Sequence, residues 1–439
     1  MLLLTADTLR ADSLGAYGST HGLTPRLDAL AAESVLFEWA YAPASFTLPS
    51  IAALLTGRYP EELGIRSNES ALPEGAGSLA SELAARGWST RAVVGNFVLR
   101  RSSGVGQGFE RFDDVFPQRE AGVRAMPERT AAETTAAALE LLEGCETGPP
   151  CFVWVHYQDP HGPYDPPAHW RERARLAADE GDARGRELPI GADHWGRGSI
   201  PAYQVLGQRV DVAFYRAGYR GEIAYMDEQI GLLLDALAER GLEREAVVVF
   251  AADHGESMGE GDVWFSHGTR LGDEQVRVPL MLRVPGQEPA RRQDPASLVD
   301  LRRTLLSLAT GAAAPRTGQG RDLLGSQEAG GGGVAYMTNL GVGGTSRFAL
   351  AEGEFKFVAT ERDGVFDGRL QRRGSEDVDW TAAAPQLAAR MRAGLGRLRQ
   401  SVGVAVPETP QQLDENDRAE LEALGYLEPG AEPEAGPGS

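Results

Sequence analysis

Three acid or imidazole side chains stand where strands are expected to end. Asp7 follows the apolar run Leu2–Ala6, and Asp253-His254 closely follows another over 246–251. In open parallel sheets, ligands collect beyond the carboxyl ends of the strands. Two carboxylates and an imidazole meeting there would offer mixed oxygen and nitrogen donors to one divalent cation. Each also has a plainer reading. An Asp after a strand commonly caps the next helix, and Asp-His-Gly makes a turn. Two further histidines, His161 and His267, read singly as solvent-exposed or core-satisfied imidazoles.

The elements that would carry these residues follow from hydrophobic periodicity. Short apolar runs alternate with amphipathic stretches, which predicts an α/β fold with a doubly wound, mostly parallel sheet flanked by helices. Strands are expected over 2–6, 90–94, 151–156 and 246–251, with an extended segment over 35–39. Helices are expected over 27–34, over 49–56 closed by Gly57, and over 78–86 closed by Gly87. The clearest helix carries Ile223, Met226, Ile230, Leu233, Leu234 and Leu237 on one face and ends at Gly241. Residues 165–215, rich in charge, Gly and Pro, read as an irregular insertion in a catalytic unit spanning 1–315. A Gly-rich linker follows over 316–333. A C-terminal subdomain over 334–427 carries a small antiparallel sheet (334–338, 348–351, 356–360) and an Arg-rich helix over 385–398. Residues 428–439 read as a disordered tail.

At 439 residues the chain exceeds the usual single core, so one large domain with a smaller appendage is expected. With 42% hydrophobic and 24% charged residues the profile is that of a soluble globular protein. A net charge of −20 excludes nucleic acid as an expected partner, because binding its phosphates needs clustered Lys and Arg. Cys145 and Cys151 leave a small loop bridge open, but two buried or free thiols are the expected reading. No apolar stretch reaches membrane-span length. Met1 is followed by Leu2-Leu3-Leu4 and then polar residues, without a signal-peptide pattern. The expected placement is cytoplasmic for the chain as written, and exported if the true start lies upstream.

Five blocks in order carry a family resemblance. The segment Asp7-Thr8-Leu9-Arg10-Ala11-Asp12-Ser13-Leu14-Gly15 resembles the opening of the sulfatase family, in the alkaline phosphatase superfamily. So does Thr47-Leu48-Pro49-Ser50, followed by Leu54-Leu55-Thr56-Gly57-Arg58-Tyr59-Pro60. His156-Tyr157-Gln158-Asp159-Pro160-His161-Gly162-Pro163-Tyr164 resembles its central strand and substrate loop. Ala252-Asp253-His254-Gly255-Glu256, His267-Gly268 and Val278-Pro279-Leu280 resemble its late metal motif. Ala423-Leu424-Gly425-Tyr426-Leu427 is similar to the tail of many bacterial members. The resemblance implies a doubly wound domain with a small C-terminal subdomain, and covalent catalysis on an ester of a tetrahedral oxyanion. It places one divalent ion (Mn, Mg, Ca or Zn) on Asp7, Thr47, Asp253 and His254. Thr47 matches the nucleophile, and His161 and His267 match contacts to the transferred group or leaving oxygen. Pro49 opening a helix, with Thr47 and Ser50 flanking it, is expected to aim free N–H groups at the anion. His267 is expected to supply positive charge or a proton there.

The chain also departs from the family pattern. Sulfatases carry a cysteine or serine, oxidised to formylglycine, where this chain has Thr47, and an arginine where it has Ile51. Thr8 replaces a second carboxylate, and Gly95-Asn96-Phe97 replaces a Lys-x-His. Oxidised threonine is a ketone, so no formylglycine is expected. An unmodified threonine nucleophile favours phosphate esters, mono- or di-, because the threonyl ester must be cleaved by a second attack. Hydrolysis of sulfate esters is the alternative, followed by phosphoryl-headgroup transfer and by a catalytically inactive binding protein. A second metal on Asp159, His161 and His267 is the lesser reading. The expected substrate is a small-molecule, glycan or lipid ester, with specificity assigned to 165–215 and to 330–345.

Overall fold

The uncharged run Leu2–Ala6 is buried at every residue, and parallel strands flank it on both sides, as in a sheet whose two faces are covered. The computed structural model describes residues 1–117, 128–177, 185–192, 194–315, 318–325, 332–341, 345–362, 365–403, 406–411, 413 and 415–423. Across the main sheet the strands run Ala290–Arg292, Val35–Phe37, Leu280–Arg283, Val248–Ala252, Leu2–Ala6, Cys151–Tyr157, Ser89–Val94 and Arg111–Asp113. Leu280–Arg283 is antiparallel to both neighbours, and the other pairings are parallel. The doubly wound α/β sheet expected from the sequence is therefore present. Helices Pro25–Ala32, Ala131–Leu141 and Val212–Glu239 pack together as one group; Thr47–Thr56, Leu79–Ala84 and Asp300–Thr310 form another.

Element ends shifted for local reasons. The helix expected over 27–34 starts at Pro25, whose fixed φ suits a first helical position. The helix expected from Pro49 starts at Thr47 and ends at Gly57, which turns the chain out at φ 67°. Residues 165–215 are not wholly irregular. They contain the helix Ala168–Leu176, seated through Trp170 and Ala174 on Leu23 and Ala224. The helix Ala131–Leu141 was not anticipated, although Thr130 and Glu133 form a capping box at its start. The expected pair of thiols is corrected: Cys145 and Cys151 are disulfide-bonded, their Cα atoms 5.6 Å apart, close enough for a bridge across a short loop.

The small sheet is antiparallel throughout, in the order Val334–Asn339, Arg347–Glu352, Phe355–Arg362, Val365–Arg372. The fourth strand escaped notice because its sequence is as polar as a loop's. Helix Pro385–Val402 covers the sheet, with Met391 and Leu395 joining Phe348 and Phe357 in a second core. Ala53, Tyr59 and Val299 belong to that same core. Parts of the linker read over 316–333, the motif residues 424–427 and the tail 428–439 lie outside the described residues.

One buried cation ties the small sheet to the loops beside the main one. The fully buried Lys356 ammonium donates to Leu271 O (3.0 Å) and Asp273 Oδ1 (2.7 Å) and pairs with Glu376. Removing one member of a buried ion cluster strands the others without a counter-charge. Lys356→Ala is therefore expected to lower unfolding stability by roughly 3–5 kcal/mol in urea titrations. A loss below about 1 kcal/mol, the scale of a surface pair, would show that the cluster is solvated.

Candidate active site

Strand register places the acids. Ala6 pairs with both Tyr157 and Ala252. The ladder runs one residue further, with Asp7 N–H donating to Tyr157 O and Asp253 N–H to Ala6 O, both at 3.0 Å. Asp7 and Asp253 therefore emerge side by side at the carboxyl end of the sheet, fully buried. The chain then turns sharply through Thr8, held at φ 55°, a conformation that a β-branched residue rarely adopts. That turn aims Thr8 N–H at Asp253 Oδ1 (3.1 Å), which also accepts from His254 N–H (2.6 Å). Asn96 Nδ2 donates to Asp7 Oδ2.

The other oxygen of each carboxylate, Asp7 Oδ1 and Asp253 Oδ2, is buried without a hydrogen-bond partner. His254 Nε2 lies 3.8 Å from the first and 3.6 Å from the second. Its Nδ1 sits 3.0 Å from Gly255 O, which orients the ring with Nε2 inward. Among the described residues, Asp7, Asp253 and His254 form the one cluster of three such groups whose ligand atoms all lie within 4.8 Å of one another. Asp159, His161 and His267 make no such cluster. Burial pushes both carboxyl groups well above the usual carboxylate range, and for Asp253 the charge of Asp7 adds to this. Burial likewise holds the His254 imidazole well below its ordinary value. Two orphaned carboxylate oxygens and a neutral imidazole, buried and with no lysine or arginine among the described side chains bonded to them, fit one dication.

Thr47 opens its helix fully buried, with Oγ1 3.4 Å from His254 Nε2. The expected cradle of free N–H groups is corrected. Leu48 N–H donates to Asn68 Oδ1 (2.9 Å) and Ser50 N–H to Phe46 O (3.1 Å). The neighbouring hydroxyls are committed as well. Ser50 Oγ donates to Asp253 O (2.6 Å), and Ser45 Oγ accepts from Asn339 Nδ2 (2.8 Å).

His267 stands beside this group, its ring centroid 4.5 Å from that of His254 and 5.3 Å from that of His161. His267 Nδ1 lies 3.1 Å from Glu256 Oε1, and Tyr164 OH donates to Glu256 Oε2 (2.9 Å). His267 was expected to supply positive charge or a proton, and its surroundings disfavour the charged form. Burial lowers its pKa to about 3, with His194 acting in the same direction, so the ring is neutral when alone. Three contributors were missed from sequence: Asn96 and Glu256, which meet the site only through the fold, and His156. His156 Nε2 lies 3.7 Å from Asp7 Oδ2, while its Nδ1 contacts Thr5 Oγ1 at 2.9 Å. Its signal was a histidine inside an otherwise apolar, wholly buried strand.

A sequence model of the sulfatase family matches residues 1–312. The chain belongs to the sulfatase family. It is 30% identical to human arylsulfatase A over 416 residues, covering 87% of this chain and 76% of that protein. It is 28% identical to mouse iduronate 2-sulfatase over 333 residues, covering 65% of this chain. The chain spans only 59% of that enzyme's length. In fold, the sulfatase-family chain resembles a phosphonate monoester hydrolase from Silicibacter pomeroyi. The TM-score is 0.71 at 20% identity, covering 92% of this chain and 96% of that one.

Titrating Mn²⁺ into metal-free protein by calorimetry is expected to give one site, lost in Asp253→Ala. Asn96→Ala, which removes only the amide behind Asp7, is expected to weaken binding roughly 10–100-fold, the scale for an outer partner of a ligand. Undiminished affinity in Asp253→Ala would exclude the cluster as the ion's site.

Proposed function

We propose that this chain is a divalent-cation-dependent hydrolase of phosphate esters, mono- or di-, acting through unmodified Thr47. The observation that carries the reading is the approach of Thr47 Oγ1 to 3.4 Å from His254 Nε2, beside the orphaned oxygens of Asp7 and Asp253. A dication held by Asp7, Asp253, His254 and Thr47 supplies Lewis-acid polarisation and makes the hydroxyl more acidic. Thr47 Oγ1 attacks phosphorus as the bond to the alcohol oxygen breaks, giving a phosphothreonyl ester. With Nδ1 turned to Glu256, the neutral His267 would take at Nε2 the proton that Thr47 gives up and return it to the leaving oxygen. Water then attacks the same phosphorus, phosphate leaves, and the Thr47 hydroxyl is restored. Ser45 and Ser50 are less suited to attack, because both oxygens are engaged elsewhere.

Thr47 bears on the choice between phosphate and sulfate. A formylglycine hydrate expels sulfate by collapsing to the aldehyde, a route closed to a threonyl ester. Ile51 is buried in the core and gives the anion no charge. Hydrolysis of sulfate esters is the second reading, favoured by the names of the relatives, arylsulfatase A and iduronate 2-sulfatase.

Nitrophenyl esters discriminate between these readings. With each candidate cation, phosphate esters are expected to turn over faster than nitrophenyl sulfate, and intact mass is expected to show no oxidation at Thr47. Thr47→Ala should abolish turnover, while Thr47→Ser should retain part of it, since only the rotamer-restricting methyl is lost. Full activity in Thr47→Ala, or faster sulfate than phosphate turnover, sinks the proposal. His267→Ala is expected to cut turnover by roughly 10²-fold while Mn²⁺ still binds, the scale for losing an acid catalyst. Equal loss of ion binding would make His267 a ligand instead.

A further inference from the structure

In a chain of net charge −20, three guanidinium groups, Arg197, Arg270 and Arg347, gather beside the loop that carries His267. The small sheet supplies one of them. Side chains alternate across a strand, so Arg347 shares its face with Ala349 and Ala351, which form a core with Leu271 and Val276. Arg347 stands directly opposite Asn339, whose Nδ2 lies 3.1 Å from Gly268 O and 3.3 Å from Arg270 O. Arg270 lies over Gly261, where a Cβ would come within 2.1 Å of Nη1. Arg197 follows the same turn: it is bridged to Val263, and Gly198 N–H donates to Asp262 O (2.9 Å). The charges of this group are unbalanced. Arg347 is half-buried, and its Nη1 has no hydrogen-bond partner. Burial lowers its pKa, and the charges of Arg197 and Arg270 act in the same direction, with no carboxylate offsetting them. The nearby acids are engaged: Glu274 Oε1 accepts from Arg270 Nε (2.7 Å), Asp273 pairs with Lys356, and Asp262 Oδ1 accepts from Trp264 Nε1 (3.1 Å). Asp and Glu outnumber Lys and Arg by 63 to 43, so counter-charges were not scarce. Like charges gathered on a half-buried guanidinium cost stability unless an anion meets them.

We infer that Arg197, Arg270 and Arg347 receive a second anionic group of the substrate, a phosphate, sulfate or carboxylate carried on its alcohol side. The inference rests on the hydrolase reading for the chemistry at Thr47, but the anion site itself stands on the arginines. The transferred group is a poor occupant. It must sit at Thr47 and the Asp7–Asp253–His254 cluster, and the described side chains bonded to these include none of the three arginines. Asn339 is the spacer between the two places. It donates to Ser45 Oγ, two residues before Thr47, and stands opposite Arg347, with facing Cα atoms roughly 5 Å apart in such a pair. A long polyanion such as a nucleic acid suits the chain poorly, since the rest of its surface would repel it. A single oxyanion suits the arginines well, because each planar guanidinium offers it paired N–H donors.

The test compares ethanediol, propanediol and butanediol bisphosphates with ethyl, propyl and butyl phosphate, and repeats the series with sulfates and with carboxyalkyl phosphates. The full chain with Mn²⁺ is expected to favour the doubly anionic member of at least one pair by about tenfold or more in kcat/KM. That is the scale of one charge-assisted hydrogen bond. Arg197→Ala and Arg347→Gln should each bring the ratio toward one, through KM, whereas Arg347→Lys should keep part of the preference. Thermal unfolding of Arg347→Gln should occur at an equal or higher temperature, because one of three mutually repelling charges is gone. Calorimetry with propanedisulfonate against propanesulfonate, which have no ester to cleave, reads the site without turnover. The disulfonate is expected to bind more tightly, and less so in Arg197→Ala and Arg347→Gln. Equal kcat/KM within every pair overturns the anion site and leaves the hydrolase standing. Equal losses for both members of a pair in the variants overturn it too, since the arginines would then serve the transferred group or the fold. Tighter disulfonate binding that Arg347→Gln weakens, with no ester cleaved, supports the site and overturns the hydrolase. No preference for the disulfonate overturns the site whatever the turnover.

Discussion

Two carboxylates held side by side away from water lose their hydration and repel each other, and Asp7 and Asp253 are placed in that position by backbone register. Asn96, the Thr8 N–H and the His254 N–H each meet one carboxylate oxygen, but one oxygen of each acid stays unanswered. None of the described side chains bonded to these acids or to Thr47 is a lysine or arginine. Keeping such a pair costs stability in the metal-free chain. The surrounding sheet tolerates it because its central strands are buried on both faces and cannot part to admit water. The strained Thr8 is tethered in the same spirit: Tyr219 OH donates to Thr8 O (2.8 Å) and accepts from Arg10 N–H (3.1 Å).

The small sheet serves that site from a distance. Asn339, on its first strand, donates to Gly268 O and Ser45 Oγ and accepts from Ser45 N–H, clamping the loops that carry His267 and Thr47. Tyr336 OH donates to the buried Glu61 Oε1 (2.6 Å), just beyond the Thr47 helix. That helix lies between two cores, with Leu48 and Ile51 in the larger and Ala53 in the smaller. Its first turn can move little, so Thr47 Oγ1 is held in place beside His254 Nε2.

Local periodicity made the strands under Asp7 and Asp253 legible, and the motif blocks named Thr47, His161, His254 and His267 in order. Legibility ended where the argument needed partners far apart in sequence. Asn96 stood at the middle of the segment that replaces Lys-x-His; in the fold it is the donor that braces Asp7. Glu256 stood in the late metal motif with no role assigned, yet it joins Tyr164 to His267. Of the supposed free N–H groups at the Thr47 helix, that of Leu48 was already taken by Asn68, which no spacing rule connects to that helix.

Charge then constrains what the site can accept. One dication on these two carboxylates would sum to zero, so the centre would offer an anion no surplus beyond what its histidines can add. Burial keeps His267 neutral when alone, and the whole chain carries −20. A dianionic monoester would therefore approach an acidic protein and enter a centre with little net attraction, whereas a diester or sulfate brings only one charge.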